Sequence, residues 1–541
     1  MNEPSLYFNE DHELFRQSAR EFVRKEVQPH IDEWEEKGEI PRYIWQKMGE
    51  AGFLGLSYPE QYGGNNLDFF YSVVWLEELA RANAAGFCAA VSVHQYMSVA
   101  HIAEAGSEYL KQKYLTGAIN GTSIGALGIS EPGAGGDVAA IKTTAVREGD
   151  EYVINGSKIF ITNGYYCDFV TLACRTNPDP ASGIGGISLI VVDKKLPGFS
   201  CSKLKKMGWH SSDTAEMFFD NVHVPAQNLL GEEGRGFYYI MDSFQLERLV
   251  AGISSIAGAE YGLQFTLKYL NERKAFGRPI AKFQALRHDI VNIATEIEAA
   301  KQLTYHAAWK FDKGVFAVKD CSMVKLLTSE VTKKASDIFL QCFGGYGFME
   351  DYPAARMYRD VRVGTIVGGT SQIMREILAK IIIDDVQYKS AYKQQLNTDA
   401  APPHIQTSPN DNENNNNNEN NLHQNPTVPM TPNPTTARDI VLSLPDRFKA
   451  YKVKPDYETC MHFNISGDNG GEFTVTVKDS HCEVNQGLIG QPKCTVSTKD
   501  RTYEGIELGK ENPQMAVMMG KIKISNLAEM MTFISLFQRL Y

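Results

Sequence analysis

The sequence predicts a multidomain chain: an α-helical N-terminal domain, an antiparallel β-barrel-like middle domain, a C-terminal four-helix bundle, a disordered linker and a small α/β domain. Three observations predict it. At 541 residues the chain is too long for one hydrophobic core. Its apolar spacing switches from helical to strand-like and back. An Asn/Pro-rich tract then separates this part from a last mixed segment.

Each element follows from its own stretch. In "DHELFRQSAREFVRKEV", Leu14, Phe15, Ala19, Phe22 and Val23 fall on one helical face, and "FFYSVVWLEELARANAA" repeats the pattern with a more apolar face, so residues 1–120 form the helical domain. Between 121 and 234 short β-branched runs take over, as in "EYVINGSKIFITNG", "DFVTLACRT", "GISLIVVD" and "TAEMFFDNVHVP". The Asn-Gly pairs at Asn155 and Asn163 predict hairpins or turns, hence a mainly antiparallel β domain. Residues 235–390 return to long helical stretches carrying Gly, Ala and Ser, which predicts a bundle. Residues 391–435 hold too few apolar side chains to fold, and 436–541 mix strands ("HFNISG", "EFTVTVKD", "KCTVSTK") with helix-like ends.

Composition removes several function classes. A net charge of -11, with 43% hydrophobic and 22% charged residues, describes a globular chain without a basic surface for nucleic acid or anionic lipid. Nine dispersed cysteines form no C-x-x-C and no Cys/His metal spacing, which predicts reduced thiols and no metal. The acidic "MNEPSLYFNEDHELF" has no apolar core, so neither a signal nor a transit peptide is expected. No apolar run reaches ~18 residues, so no transmembrane helix is expected. The final "RLY" is not a peroxisomal signal, and a cytoplasmic location follows.

One stretch asks for a specific explanation. "TIVGGTSQIM" sets Gly368 and Gly369 before Thr370 and Ser371, which read as an N-cap pair for the apolar run that follows. The glycines provide φ > 0 or a close backbone approach, and the helix start leaves free N–H groups.

"GISEPGAGGDVAAIKTTA" followed by "NGSKIFITNG", "KMGWHSSDTAEMFFDNVHVP", "NERKAFGRPIAKFQ", "QCFGGYGFMEDYPAARMYRD" and "GGTSQI" resembles the acyl-CoA dehydrogenase family over residues 9 to 386. The resemblance implies that fold, bound FAD and an acyl-CoA substrate. The backbone of Leu127 and Ile129 and the Ser130 hydroxyl would meet the flavin's pyrimidine edge. Thr162 would reach the N5 side, and Phe160, where many relatives have Trp, would cover one ring face. Arg273, Phe276 and Gln284 would meet the diphosphate and adenine end. Gln341, Gly344 and Gly345 would come from a neighbouring subunit, with Thr370 and Gln372 completing the site. A homodimer or homotetramer is implied, with electron-transferring flavoprotein as the acceptor.

The same resemblance exposes a departure. Many members carry the catalytic Glu just before the Gly-Thr of the last loop, where this chain has Gly368. The other family position for the base lies ahead of an Arg on a bundle helix, and "MDSFQLERLVAG" offers Glu247 before Arg248. A solvated Glu-Arg pair is the plain alternative, opposed by the apolar flanks Phe244, Leu246, Leu249 and Val250. A base in an apolar cavity should have a raised pKa. The Gly368 N–H would then serve the thioester carbonyl. Gly136, where relatives often have Ser, would face the CoA portion, with Phe244, Arg248 and Gly369 also at the substrate. The texture is nearest the long-chain branch, in fatty acid β-oxidation. An isovaleryl-type dehydrogenase, an acyl-CoA oxidase and an inactive lipid-carrier flavoprotein are the alternatives.

The last segment, with "ENPQMAVMMGKIKISN", resembles a sterol carrier protein type 2 domain, which encloses an apolar tunnel for acyl chains or lipids. Met515, Met518, Met519, Met530 and Met531 are either tunnel lining or plain core.

Overall fold

The computed structural model describes residues 5–388, 390, 434–450, 453, 457–479, 481–508, 516, 521–537 and 540. Two compact units emerge, Met1–Gln406 and Thr407–Tyr541.

The first unit opens with α1 (Glu10–Phe22), α2 (Ile31–Lys37), α3 (Arg42–Glu50), α4 (Phe69–Ala80), α5 (Ala85–Ser92), α6 (Val99–Ala105), α7 (Glu108–Leu110) and α8 (Thr116–Ile119). Helix α1 starts at Asn9 because two groups cap each other. Asn9 Oδ1 accepts from the His12 N–H at 2.9 Å and His12 Nδ1 accepts from the Asn9 N–H at 3.1 Å. Its predicted face is buried at Ala19 and Val23 and packed at Phe15 and Phe22, whereas Leu14, one step around the helix, is 63% exposed. Three π-helical segments, Val23–Val27, Val93–Ser98 and Lys111–Leu115, interrupt these helices.

A sheet of eight strands follows: β1 (Gly125–Gly128), β2 (Thr144–Glu148), β3 (Glu151–Thr162), β4 (Phe169–Arg175), β5 (Ile187–Asp193), β6 (Phe199–Lys203), β7 (Thr214–Pro225) and β8 (Leu229–Leu230). Their order is β6-β7-β3-β2-β4-β5-β8, with β1 on β4. Pairing is antiparallel except for β1 on β4 and a single β2–β4 pair. Asn163, at φ +63°, makes the predicted turn after β3. The Asn155-Gly156 pair does not turn; it lies inside β3, at a register shift against β7. A Cβ on Gly156, whose φ is +146°, would sit 2.6 Å from Thr143 Oγ1, so this glycine serves a bulge and a close approach.

The bundle comprises α9 (Gly236–Glu272), α10 (Gln284–Asp312), α11 (Val318–Phe343), α12 (Pro353–Val361) and α13 (Ser371–Ile382). A tight hairpin of β9 (Lys274–Ala275) and β10 (Arg278–Pro279) links α9 to α10. Helices α9 and α11 pack so closely that a Cβ on Gly252 would lie 2.3 Å from Val324 Cγ1. One core joins helices, sheet and bundle: Val99 and Ile102 from α6, Phe169 and Leu189 from the sheet, Tyr239 and Ile240 from α9. That seam fixes the sheet against the first turns of α9, and so fixes what lies above both.

The second unit is a five-stranded sheet of β11 (Thr459–Ser466), β12 (Gly471–Lys478), β13 (His481–Gln486), β14 (Cys494–Lys499) and β15 (Ile522–Ile524), ordered β13-β12-β11-β14-β15. Its core holds Phe463, Phe473, Val475, Phe533 and Phe537, and Met530 is buried there. Met515, Met518, Met519 and the side chain of Met531 lie outside the described residues, with much of "ENPQMAVMMGKIKISN" and all of 391–433.

Candidate active site

The loop after β1 is set by a buried ion pair that the sequence reading missed. Lys158, in the inward phase of β3 and 0% exposed, donates from Nζ to Glu131 Oε1 at 2.8 Å and to the Ile129 carbonyl at 3.0 Å. Glu131 also accepts from the N–H groups of Lys142 at 2.6 Å and Thr143 at 2.9 Å. Burial works to raise the Glu131 pKa, but Lys158 and Thr143 overcome it and hold the carboxylate below its usual range. The Ile159 N–H takes the Ser130 carbonyl at 2.9 Å. Both carbonyls of Ile129 and Ser130 are thus occupied by protein. The only sequence signal was a lysine at a buried position of an alternating strand.

Beside this loop stands an aromatic in an unusual state. Phe160 is 70% exposed at φ +63°, at the second register shift of β3, with Thr162 closing the strand. A bulky residue in the left-handed region is a marker of function. Phe276 repeats the pattern at the β9–β10 turn, with φ +51° and 94% exposure, ahead of Gly277 at φ +79°. Arg273 lies over the Tyr346 ring at 5.4 Å, and the Tyr269 hydroxyl donates to the Phe343 carbonyl at 3.4 Å. Arg273 and Phe276 therefore share one end of the bundle with the Gly344–Gly345 turn, and Gln341 and Gln284 lie at the helix termini bordering it. Neither Gly344 nor Gly345 has any atom within 4 Å of a built Cβ, so their backbone is open.

The second group is on α9, far from the first. Glu247 and Arg273 are 26 residues apart (273 minus 247), which is about 39 Å along a helix axis and more than one dinucleotide spans. Glu247 is 7% exposed, and its Oε1 has no hydrogen-bond partner among the described residues. Burial raises its pKa to about 7 against the opposing pull of Arg248. The solvated-pair alternative is thereby removed. Arg248 is also buried; its Nη1 donates to Ser322 Oγ at 3.4 Å, its guanidinium lies over Phe244 at 5.3 Å, and its Nε is unpartnered.

The loop opened by the two glycines lies against α11. Gly368 has φ +66° and Gly369 φ +94°, as the sequence required. Thr370 caps α13, its Oγ1 accepting from the Ile373 N–H at 3.2 Å, while Ser371 is the first helical residue. Among the described residues the N–H groups of Gly368 and Gly369 have no partner. No atom lies within 4 Å of a built Gly368 Cβ, and a Cβ on Gly136 would touch Ile373 at 3.5 Å. The glycine-rich loop of the sheet thus faces α13, next to Gln372. A cavity of about 460 Å³ is lined by Tyr96, Ala100, Ala103 and Glu104, by Phe69, and by Leu246 beside Glu247. A second, of about 480 Å³, is lined by Arg16, Glu77, Arg81, Lys301 and Tyr305 and touches none of the site residues.

These features suit a flavin dinucleotide. Open glycine backbone, uncovered aromatic faces and an unpartnered buried carboxylate are groups that a ligand would complete. Among the described residues no His, Cys, Asp or Glu cluster suits a metal.

Comparison with known proteins agrees with this geometry. Family models for the acyl-CoA dehydrogenase N-terminal, middle and C-terminal domains match residues 9–122, 126–222 and 234–383, and the SCP-2 sterol transfer family matches 445–538. The mitochondrial long-chain specific acyl-CoA dehydrogenase of Mus musculus is 38% identical over 384 residues, covering 70% of this chain and 88% of that protein. The mitochondrial isovaleryl-CoA dehydrogenase of Oryza sativa subsp. japonica is 35% identical over 379 residues, covering 70% and 92%. The crystal structure of acyl-CoA dehydrogenase from Geobacillus kaustophilus superposes with a TM-score of 0.69 at 42% identity, covering 70% of this chain and 100% of that one. The chain belongs to the acyl-CoA dehydrogenase family of flavoproteins, oxidoreductases acting on the CH–CH bond of acyl-CoA, and carries an SCP-2 domain behind it.

Proposed function

We propose that this chain oxidises long-chain fatty acyl-CoA to trans-2-enoyl-CoA and that Glu247 is the base. The observation that carries the proposal is the buried, unpartnered Glu247 carboxyl with its pKa near neutrality, on the helix whose Leu246 lines the acyl-sized cavity. When bound, FAD accepts the hydride leaving the β-carbon.

The chain's own residues do the rest. Glu247 takes the α-proton, and its lack of a competing hydrogen bond leaves Oε1 available for it. The unpartnered Gly368 N–H holds the thioester oxygen as negative charge grows there. Leu127 of β1 and Ile129 and Ser130 of the loop fixed by Lys158 and Glu131 hold the flavin ring, with Phe160 and Thr162 of β3. Arg273, Phe276, Gln284, Gln341, Gly344 and Gly345 hold the distal end of a cofactor. Because about 39 Å of helix separates Arg273, which shares this end of the bundle, from Glu247, that cofactor belongs to another subunit, and the chain works as a homodimer or homotetramer. Thr370 and Gln372 contribute the helix N-terminus, and Gly136, Phe244, Arg248 and Gly369 border the CoA thioester.

Electrons pass to an electron-transferring flavoprotein. The carrier domain raises the effective concentration of acyl chains for the dehydrogenase it is tied to. All nine cysteines are free thiols, which supports a reducing, cytoplasm-like compartment. The described helices include none long and apolar enough to cross a membrane.

Turnover of the flavoprotein across saturated acyl-CoAs from butyryl to stearoyl, with isovaleryl-CoA alongside, tests the substrate. kcat/KM should peak at ten carbons or more with electron-transferring flavoprotein as acceptor. A peak at isovaleryl-CoA would establish the branched-chain reading, and steady peroxide without an added acceptor the oxidase one.

A further inference from the structure

Lys325, on α11, is 2% exposed, and no carboxylate among the described residues pairs with it. Its Nζ donates to the Gly364 carbonyl at 2.8 Å and to the Gly369 carbonyl at 2.7 Å. These two acceptors are the ends of the loop that carries Gly368. Between them the N–H groups of Ile366 and Val367 both return to the Val363 carbonyl, at 2.8 and 2.9 Å. The loop is otherwise soft, because two consecutive glycines with positive φ resist little. A buried cation is costly, and an apolar side chain of the same length would avoid that cost. What the lysine does that an apolar chain cannot is tie both ends of the loop to one rigid helix. Burial first, then the guanidinium of Arg248, lower its pKa to about 8, so Lys325 lies within the electrostatic reach of the residue next to Glu247.

We propose that Lys325 is a positioning residue for proton abstraction: by bonding Gly364 and Gly369 together it holds the Gly368 N–H at the thioester oxygen and thereby sets the acidity of the substrate's α-carbon. This rests on the acyl-CoA dehydrogenase reading above. Lys325 acts through Gly368 and does not touch the substrate. With Arg248 and the N-terminus of α13 it also makes the surroundings of the forming enolate positive.

The test uses full-length flavoprotein and 3-thialauroyl-CoA, whose α-proton can leave but which cannot give up a hydride. Its bound enolate absorbs at long wavelength against oxidised flavin, and the pH midpoint of that band reports α-carbon acidity. Lys325→Met should raise the midpoint by at least one unit, a tenfold loss of band below the midpoint, while the ligand Kd stays within threefold. Amide hydrogen exchange across 363–374 should accelerate at least tenfold. Lys325→Gln, too short to reach both carbonyls, should give half or more of the shift if the Met variant does not fold, and Lys325→Arg should restore most of it. A midpoint unchanged in Lys325→Met or Lys325→Gln overturns the proposal. Glu247→Gln tests the underlying reading separately: a band of wild-type strength there removes Glu247 as base, while the Lys325 comparison still stands or falls on its own midpoints.

Discussion

Replacing Glu247 with Gln should make the protein inactive and, above neutral pH, more stable. The side chain is buried, and its pKa moves from 4.5 to about 7. Ionising the native carboxyl therefore costs about 3 kcal/mol more than ionising it in the unfolded chain. The sign follows from the raised pKa: its stability contribution is full below about pH 4.5 and is lost as pH rises through 7. Gln keeps the shape and has nothing to ionise. The thermal midpoints of the two proteins should therefore nearly coincide at pH 4. They should diverge between pH 4.5 and 7, with the variant higher by the equivalent of about 3 kcal/mol from pH 7 upward. In parallel, wild-type kcat/KM should climb about tenfold per pH unit to pH 7 and then level, and the variant should lose roughly 10²-fold or more. The assay is thermal unfolding at one scan rate and one protein concentration, beside acceptor-linked turnover. A stability difference that does not change with pH, or turnover within tenfold of wild type, would refute the reasoning.

Other sites give further tests. Lys158→Met should cost about 3–5 kcal/mol and release FAD, because Glu131 is left charged and buried; Lys158→Met with Glu131→Gln should recover part of it, read by bound-flavin absorbance. Burial lowers both His94 and His101 to about 4, so the unfolded chain takes up protons first as pH falls below 6.5. Stability should then fall between pH 6.5 and 4, and His101→Leu, which also removes two unpartnered ring nitrogens, should gain about 2 kcal/mol at pH 5 in acid unfolding. Gly368→Ala meets no protein atom, so it should lose only about 1–2 kcal/mol of stability through backbone strain. KM for acyl-CoA should nevertheless rise at least tenfold, as the methyl enters the space kept for the thioester.

The sequence held the outline of this fold and the ingredients of the site, but not their supports. Gly368, Gly369 and Thr370 were legible because positive φ and an N-cap are local properties of a few residues. Glu247 was legible through its apolar neighbours, although only its burial on α9 excludes a solvated pair. Lys158 and Lys325 were not, because their partners are 27 to 29 and 39 to 44 residues away and a lysine has no intrinsic sign of burial. Asn155-Gly156 was misread for a related reason: the dipeptide favours a turn locally, but pairing with β7 and the approach of Thr143 keep it in the strand. The exposed Phe160 and Phe276 are places where local preference is overridden, at a register shift in β3 and at the β9–β10 turn.

The π-helical segment Val93–Ser98 ends one residue before α6, which supplies Ala100, Ala103 and Glu104 to the cavity wall. Such a segment is where a helix absorbs an inserted residue without breaking. Removing one residue there would return the turn to α geometry and leave the face of α6 unchanged, whereas removing one from α6 itself would turn everything after it by about 100°. The cavity wall is therefore buffered against a codon lost at this one place upstream, and its lining has to be altered within α6 itself.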